Sequence, residues 1–317
     1  MELLVLGVAA FALSLLLLYL GAKKTLKGAV LVANSLGVSR VVAGTVIVAS
    51  ITALPELLSS LFAARWASSH LALGNILGSN IYNVPLIIGL CGLIREFKMK
   101  NSPVITESAF MIGLSVFFAL IIALTGQVTL WLGLVFLATY PIFIGYSIRK
   151  SNNNNHNGNG THVPKRAIAS MILGGAILLG GTMMLVRSAL LISELFGLNQ
   201  FYVGVTITAI GCIIPEAAVS LFAALAGEQE ISIGNVVGDN IITITLVFGL
   251  IAVISTLNGQ VFYVSQYEIL STVPFMVFVT VILLVMSKVH QRITRPLSLV
   301  MLAVAVASFI MQTLLLA

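Results

Sequence analysis

Charge is what this chain has least of: Asp, Glu, Lys and Arg together make up 8% of its 317 residues. A soluble domain carries about three times that fraction, so a water-soluble globular class is excluded. Acidic residues number ten, and Asp239 is the only aspartate. Cysteine is confined to Cys91 and Cys212, each isolated within an apolar run. They fit neither a disulfide framework nor a CxxC metal site. The four histidines, His70, His156, His162 and His290, fall in or beside polar segments. No HExxH, Ser/Lys or paired-Asp arrangement accompanies them, so enzyme chemistry is not expected and no cofactor is implied.

What remains is apolar sequence: 59% hydrophobic, with mean hydropathy +1.11. Its apolar stretches are about 20 residues long, enough for a helix to cross a bilayer. Backbone groups in lipid must be satisfied inside helices or a closed barrel. The stretches lack the alternation that a barrel needs. The expected fold is therefore an all-α polytopic membrane protein.

Ten spans are read, at about 2–20, 40–64, 71–94, 104–125, 128–147, 167–188, 199–226, 231–255, 267–287 and 296–316. The first lacks a basic n-region and a compelling cleavage site, so it is taken as a span and not a signal peptide. Between spans five and six lies "RKSNNNNHNGNGTHVPKR" (149–166), a polar low-complexity linker that cannot pack a core. The chain divides into 1–148, this linker, and 167–317.

The Lys and Arg residues give a direction. Fourteen of sixteen fall after odd-numbered spans: Lys23, Lys24, Lys27, Arg40, Arg95, Lys98, Lys100, Arg149, Lys150, Lys165, Arg166, Lys288, Arg292 and Arg295. Only Arg65 and Arg187 fall on the other side. The positive-inside rule then makes the basic side and the linker cytoplasmic, with both termini outside. The net charge of +6 is thus topological, and nucleic acid is not an expected partner. The Asn159-Gly160-Thr161 sequon falls in this cytoplasmic linker, where glycosylation does not occur.

The chain also repeats itself. Shifted by 160 residues, "GTVIVASITALPELLSSLFAA" (44–64) meets "GVTITAIGCIIPEAAVSLFAA" (204–224), and "GNILGSNIYN" meets "GNVVGDNIIT". Fifteen of the 40 positions from 44 to 83 are identical without a gap, including Pro55/Pro215, Glu56/Glu216, Gly74/Gly234, Asn75/Asn235, Gly78/Gly238 and Asn80/Asn240. Each half holds an odd number of spans, so the two five-helix repeats are inverted. Secondary transporters use this arrangement, with interrupted helices meeting at the midplane.

Pro55 and Pro215 each remove a backbone donor and would free carbonyls near Ile51 and Ala49, and near Gly211 and Ala209. Glu56 and Glu216 would project to the same place. An ionisable residue at membrane depth is a functional candidate by default. Carboxylates and carbonyls are hard oxygen ligands that suit Ca²⁺, Na⁺ or a proton. Glu107, Glu194, Glu268 and Arg187 lie near span ends and are read as interfacial. The glycines at every fourth position permit close helix approach whatever the function.

Both blocks resemble the α-repeats of the sodium/calcium exchanger family, within the cation/calcium antiporter superfamily. The family pattern is approximately G-T-S-L-P-E followed by G-N-x-x-G-S-N-x-x-(N/D). Here it reads "ITALPE…GNILGSNIYN" and "GCIIPE…GNVVGDNIIT". The resemblance implies that Glu56 and Glu216 are the central divalent-ion pair. It adds Thr52 and its counterpart Cys212, the backbone carbonyls of Ala49 and Ala209, Ser79 and Asn83 of span 3, and Asp239 and Thr243 of span 8.

The departures are informative. Family sodium sites lean on four serine positions that here are Ala53, Ile213, Ser79 and Asp239. Two have lost their oxygen. The acid that often ends the second block is Thr243, and an acid reappears four residues earlier at Asp239, one turn away on the same face. Like charges sharing a low-dielectric site favour protonation, so the empty site would tend to hold protons.

The expected function is antiport of a divalent cation, Ca²⁺ first, against Na⁺ or H⁺, with Mg²⁺ or another divalent ion as the alternative and a channel as a weaker one. The expected partners are inorganic cations and the lipid bilayer, and one chain suffices to build the site as a monomer. Spans 1 and 6, with "SLLLLYLGAKK" and "MILGGAILLGG", are expected from the resemblance to slide against the rest.

Overall fold

The computed structural model describes residues 2–67, 69–98, 104–153, 162–195, 200–259 and 262–316. Ten helical rods are seen among them: α1 (Glu2–Leu36), α2 (Arg40–Arg65), α3 (Ser69–Ile94), α4 (Val104–Thr125), α5 (Leu130–Asn153), α6 (Lys165–Leu195), α7 (Phe201–Ala226), α8 (Gln229–Leu257), α9 (Gln266–Val285) and α10 (Arg295–Leu316). Among the described residues, α2–α5 and α7–α10 are long and apolar enough to cross a membrane. The architecture is the all-α, ten-helix inverted repeat.

Local sequence explains where helices start and stop. Ser39 opens α2 by accepting a hydrogen bond from the Val42 N–H at 3.2 Å. Ser265 and Glu268 form a reciprocal capping box at the start of α9. Gly227 ends α7 in the left-handed region, at φ 84°, where a Cβ would be strained.

Several expected boundaries are corrected. The first helix does not end near residue 20 but runs to Leu36, so Lys23, Lys24 and Lys27 lie on helix and not in a loop. Their side chains are exposed while Ala22, Leu26 and Ala29 on the same turns are buried. Long basic side chains can reach polar surroundings from a continuing helix, so charge did not mark its end. Likewise α6 spans 31 residues. Helix also enters the linker from both sides, up to Asn153 and from Lys165, while 154–161 lie outside the described residues.

The halves interlock. A Cβ on Gly44 of α2 would meet the Ile231 carbonyl and the Asn235 N–H of α8, and its repeat mate Gly204 of α7 faces the Leu71 carbonyl and Asn75 N–H of α3. Thus α2 packs on α8 and α3 on α7, each pair crossing between repeats at backbone contact. The glycines are needed here because nothing larger fits. Helices α1 and α6 pack along each other beside this four-helix core.

Short contacts tie the loops. Strand β1 (Phe97–Lys98) pairs antiparallel with β4 (Arg292–Ile293), and β2 (Gln127–Val128) with β3 (Phe262–Tyr263). Arg40 Nε lies 3.2 Å from Glu228 Oε2, and His70 Nδ1 lies 2.8 Å from Glu268 Oε1. Each of these joins two loops or helix ends after odd-numbered helices, or two after even-numbered ones. A ten-span count requires that grouping.

Candidate functional site

The site grows from two breaks in α2 and α7. At Ala53 ψ is −7°, and at Ile213 it is −3°, so each rod ends one helical segment and starts another. Pro55 and Pro215 sit in the first turn of the new segments, where a missing N–H costs least. The same first turns carry Glu56 and Glu216. A half-helix N-terminus bears partial positive charge and favours a carboxylate there. The proline therefore does more than interrupt: it starts the segment that presents the acid.

The breaks free fewer carbonyls than expected. The Ala49 carbonyl still accepts the Ala53 N–H at 2.9 Å, and the Ala209 carbonyl the Ile213 N–H at 3.0 Å. Only the Ile51 and Gly211 carbonyls lose their partner to a proline, which has no N–H to give. Ala49 and Ala209 keep a second lone pair.

Single-turn π-helical segments flank the breaks at repeat-related places. They cover Ala43–Val48 and Gly204–Thr208 before the breaks, and Asn83–Ile88 and Thr243–Val247 in α3 and α8. Such segments widen a helix locally and concentrate at functional sites. Those in α3 and α8 begin at Asn83 and Thr243, both candidate ligands.

Glu56, Glu216, Asp239, Ser79, Asn83, Thr52, Cys212 and Thr243 are all buried, together with Ala49 and Ala209. The two halves exchange hydrogen bonds through them. The Thr243 hydroxyl donates to Glu56 Oε2 at 2.6 Å. Asn83 Nδ2 donates to Asp239 Oδ2 at 2.6 Å and to Asn240 Oδ1 at 2.9 Å. The Thr52 hydroxyl donates to Asn235 Oδ1 at 3.0 Å. Ser79 stands beside the Glu56 carboxyl, and Cys212 Sγ lies 3.2 Å from Ser59 Oγ.

Several oxygens in this cluster receive no donor. Glu56 Oε1, both oxygens of Glu216, Asp239 Oδ1 and Asn83 Oδ1 are buried without a hydrogen bond. The group facing Glu216 is another carboxyl, that of Asp239. A buried oxygen without a donor costs about 1–3 kcal/mol, and more when charged. Protons or a cation must fill the gaps between these carboxyl groups. Among the described residues no three His, Cys, Asp or Glu side chains form a closed metal cage. The candidate residues instead bring carboxylates together with amide and hydroxyl oxygens.

Sequence reasoning passed over Asn75 and Asn235. Asn75 Nδ2 donates to Ser60 at 2.7 Å and Ser59 at 3.2 Å, and Asn235 Nδ2 to Ser220 at 3.0 Å and the Glu216 carbonyl at 3.3 Å. These bonds fix the acid-bearing segments against α3 and α8. Their identity in both repeats was the available signal. Glu107 lies in the first turn of α4, near a span end as expected, and is also buried, accepting a long bond of 3.4 Å from Thr45 of α2. Glu268 does mark a helix end. The side chains of Arg187 and Glu194 lie outside the described residues.

Comparisons with known proteins agree with this geometry. Residues 6–149 and 166–314 match the family described as sodium/calcium exchanger protein. The chain is similar to the sodium/calcium exchanger MaX1 of Methanosarcina acetivorans, with 26% identity covering 89% of this chain and 91% of that one. It is similar to inner membrane protein YrbG of Escherichia coli, with 28% identity covering 79% and 80%. The fold matches the solved sodium-calcium exchanger NCX_Mj at TM-score 0.82, with 24% identity over 96% of this chain and 98% of that one. This chain belongs to the sodium/calcium exchanger protein family, whose members are membrane antiporters of inorganic cations and not enzymes.

Proposed function

We propose that the protein exchanges a divalent cation, Ca²⁺ foremost, for a monovalent counter-ion at the buried site between Glu56 and Glu216. The observation that carries this is the set of donor-less oxygens on Glu56, Glu216 and Asp239, contributed by both repeats. Hard oxygen ligands of this kind suit Ca²⁺. Thr52, Ser79, Asn83 and Thr243, with the Ala49, Ala209 and Cys212 carbonyls, complete the ligand set in this reading.

Coupling follows from charge. A counter-ion must neutralise the same carboxylates that hold the divalent ion, so the two compete and neither crosses alone. Ala53 and Ile213 offer no side-chain oxygen where the family pattern has one, which weakens sodium binding. Protons can replace sodium by occupying the facing Glu216 and Asp239 carboxyl groups. Access alternates as α1 and α6, packed mainly on each other, slide past the α2, α3, α7 and α8 core.

In the membrane the loops carrying Arg40, Arg95 and Lys98 face the cytoplasm with the linker, and both termini lie outside. The division at 149–166 separates the two repeats, and one chain suffices as the transport unit.

Everted membrane vesicles loaded by either a sodium or a pH gradient test the coupling. Ca²⁺ uptake driven by the pH gradient supports proton exchange. Uptake driven by sodium alone would return the chain to sodium coupling.

A further inference from the structure

Beside the break in α2 lies an apolar groove of about 520 Å³. Ile51 and Leu54, on either side of that break, line one wall, Val32 of α1 a second, and α6 the third. Every side chain that borders it is apolar. From α6 come Ile168, Ile172, Gly175 and Leu179, three or four residues apart and so along one face of the helix. Another face of α6 meets α1: a Cβ on Gly28 would collide with the Ala167 carbonyl, and one on Gly21 with Leu178. The groove is open along α6, where Ile168 and Ile172 are 47% and 68% exposed.

Its length and its mouth point to one occupant. From Ile168 to Leu179 the helix rises about 16 Å, close to half of the roughly 30 Å hydrocarbon core of a bilayer. That is the reach of one acyl chain in one leaflet. At the linker end, between Val163 and Ile168 in the chain, stand Lys165 and Arg166, both exposed. Neither has an ion-pair partner among the described residues. They occupy the first turn of α6, the end where the helix dipole disfavours cations. An anionic group beside them relieves both.

We propose that this groove holds one acyl chain of an anionic phospholipid from the linker-side leaflet, with the lipid phosphate on Lys165 and Arg166. In the orientation given above that is the cytoplasmic leaflet, the one that carries anionic lipid. The phosphate takes charge-assisted hydrogen bonds from both basic side chains. The acyl chain lies against Ile51 and Leu54 and covers the α2 break from the lipid side. Gly175 closes the floor, since its Cβ would come within 2.8 Å of Ile51 Cγ2. The assignment holds whichever ions the midplane site exchanges.

The probe is phosphatidylglycerol with a photoactivatable diazirine on its acyl chain, mixed into phosphatidylcholine vesicles that hold the full-length protein. After illumination, peptide mass spectrometry should place the label on 168–179 and around Ile51 and Leu54, in excess over Leu299 and Val306, which are exposed on α10. Groove labelling should drop about tenfold when Lys165→Gln and Arg166→Gln are combined, or when the probe carries a phosphocholine headgroup. Ala176→Phe fills the groove and should suppress the label as well. The two charge substitutions lie at exposed positions and decide the matter even where the bulky variant fails to fold. Label spread evenly over the groove and α10, equal labelling by either headgroup, or labelling untouched by the paired charge substitutions would each overturn the proposal. So would a groove that stays unlabelled, whether empty or shielded by a second copy of the chain.

Discussion

Thr243, on the second repeat, donates its hydroxyl to Glu56, on the first, across 2.6 Å. The bond orients one carboxylate oxygen and leaves the other, Oε1, without a donor. A side chain from one repeat thus orients the acid of the other. Thr243→Val removes that orientation and strands a second buried oxygen, at about 1–3 kcal/mol. Calorimetry should show Ca²⁺ affinity weakened roughly ten- to hundredfold, since each factor of ten is about 1.4 kcal/mol.

The interlock of α2 with α8 and of α3 with α7 depends on missing side chains. Gly44→Leu and Gly204→Leu drive atoms into facing backbone, and overpacking costs about 1–3 kcal/mol or more. Both should lower the unfolding temperature in detergent. Gly113→Ala, whose Cβ meets nothing within 4 Å, should leave it unchanged or raise it.

Not every ion pair matters. Arg40 and Glu228 are partly exposed, at 31% and 27% of their side-chain surfaces, and such pairs contribute about 0–1 kcal/mol. Arg40→Gln should therefore change unfolding temperature little and leave Ca²⁺ affinity within a factor of two or so of wild type. A large loss of affinity would show that this pair acts as a gate.

Sidedness is open to chemical labelling. A cysteine placed at Lys98 should react with an impermeant thiol reagent from the cytoplasmic side, and one at Gln127 from the opposite side. The native thiols of Cys91 and Cys212 are buried and should stay silent. Reaction of both introduced thiols from one side would refute the ten-span orientation.

Much of the site was legible because it breaks rules that an apolar helix obeys. Proline and glutamate at membrane depth are costly, and finding both pairs 160 residues apart marked Pro55, Glu56, Pro215 and Glu216. Helix lengths were less legible. Lys23, Lys24 and Lys27 looked like a loop because charge usually ends a span, yet α1 carries them outward on a continuing helix. Burial of Glu107 depends on where α4 meets Thr45 of α2, a contact between segments that no local pattern encodes. Asn75 and Asn235 stood among the repeat identities, but their work lies in partners reached across helices. The cross-repeat bonds from Thr52 to Asn235 and from Asn83 to Asp239 emerge only once the halves are interlocked.

The central claim is that one divalent ion is held jointly by acids from both repeats, and calorimetric titration of Ca²⁺ into wild type, Glu56→Gln and Glu216→Gln tests it most directly. The account predicts one saturable Ca²⁺ site per chain in the wild type and at least a tenfold loss of affinity, about 1.4 kcal/mol, in each single variant. Wild-type affinity retained by either variant would contradict it.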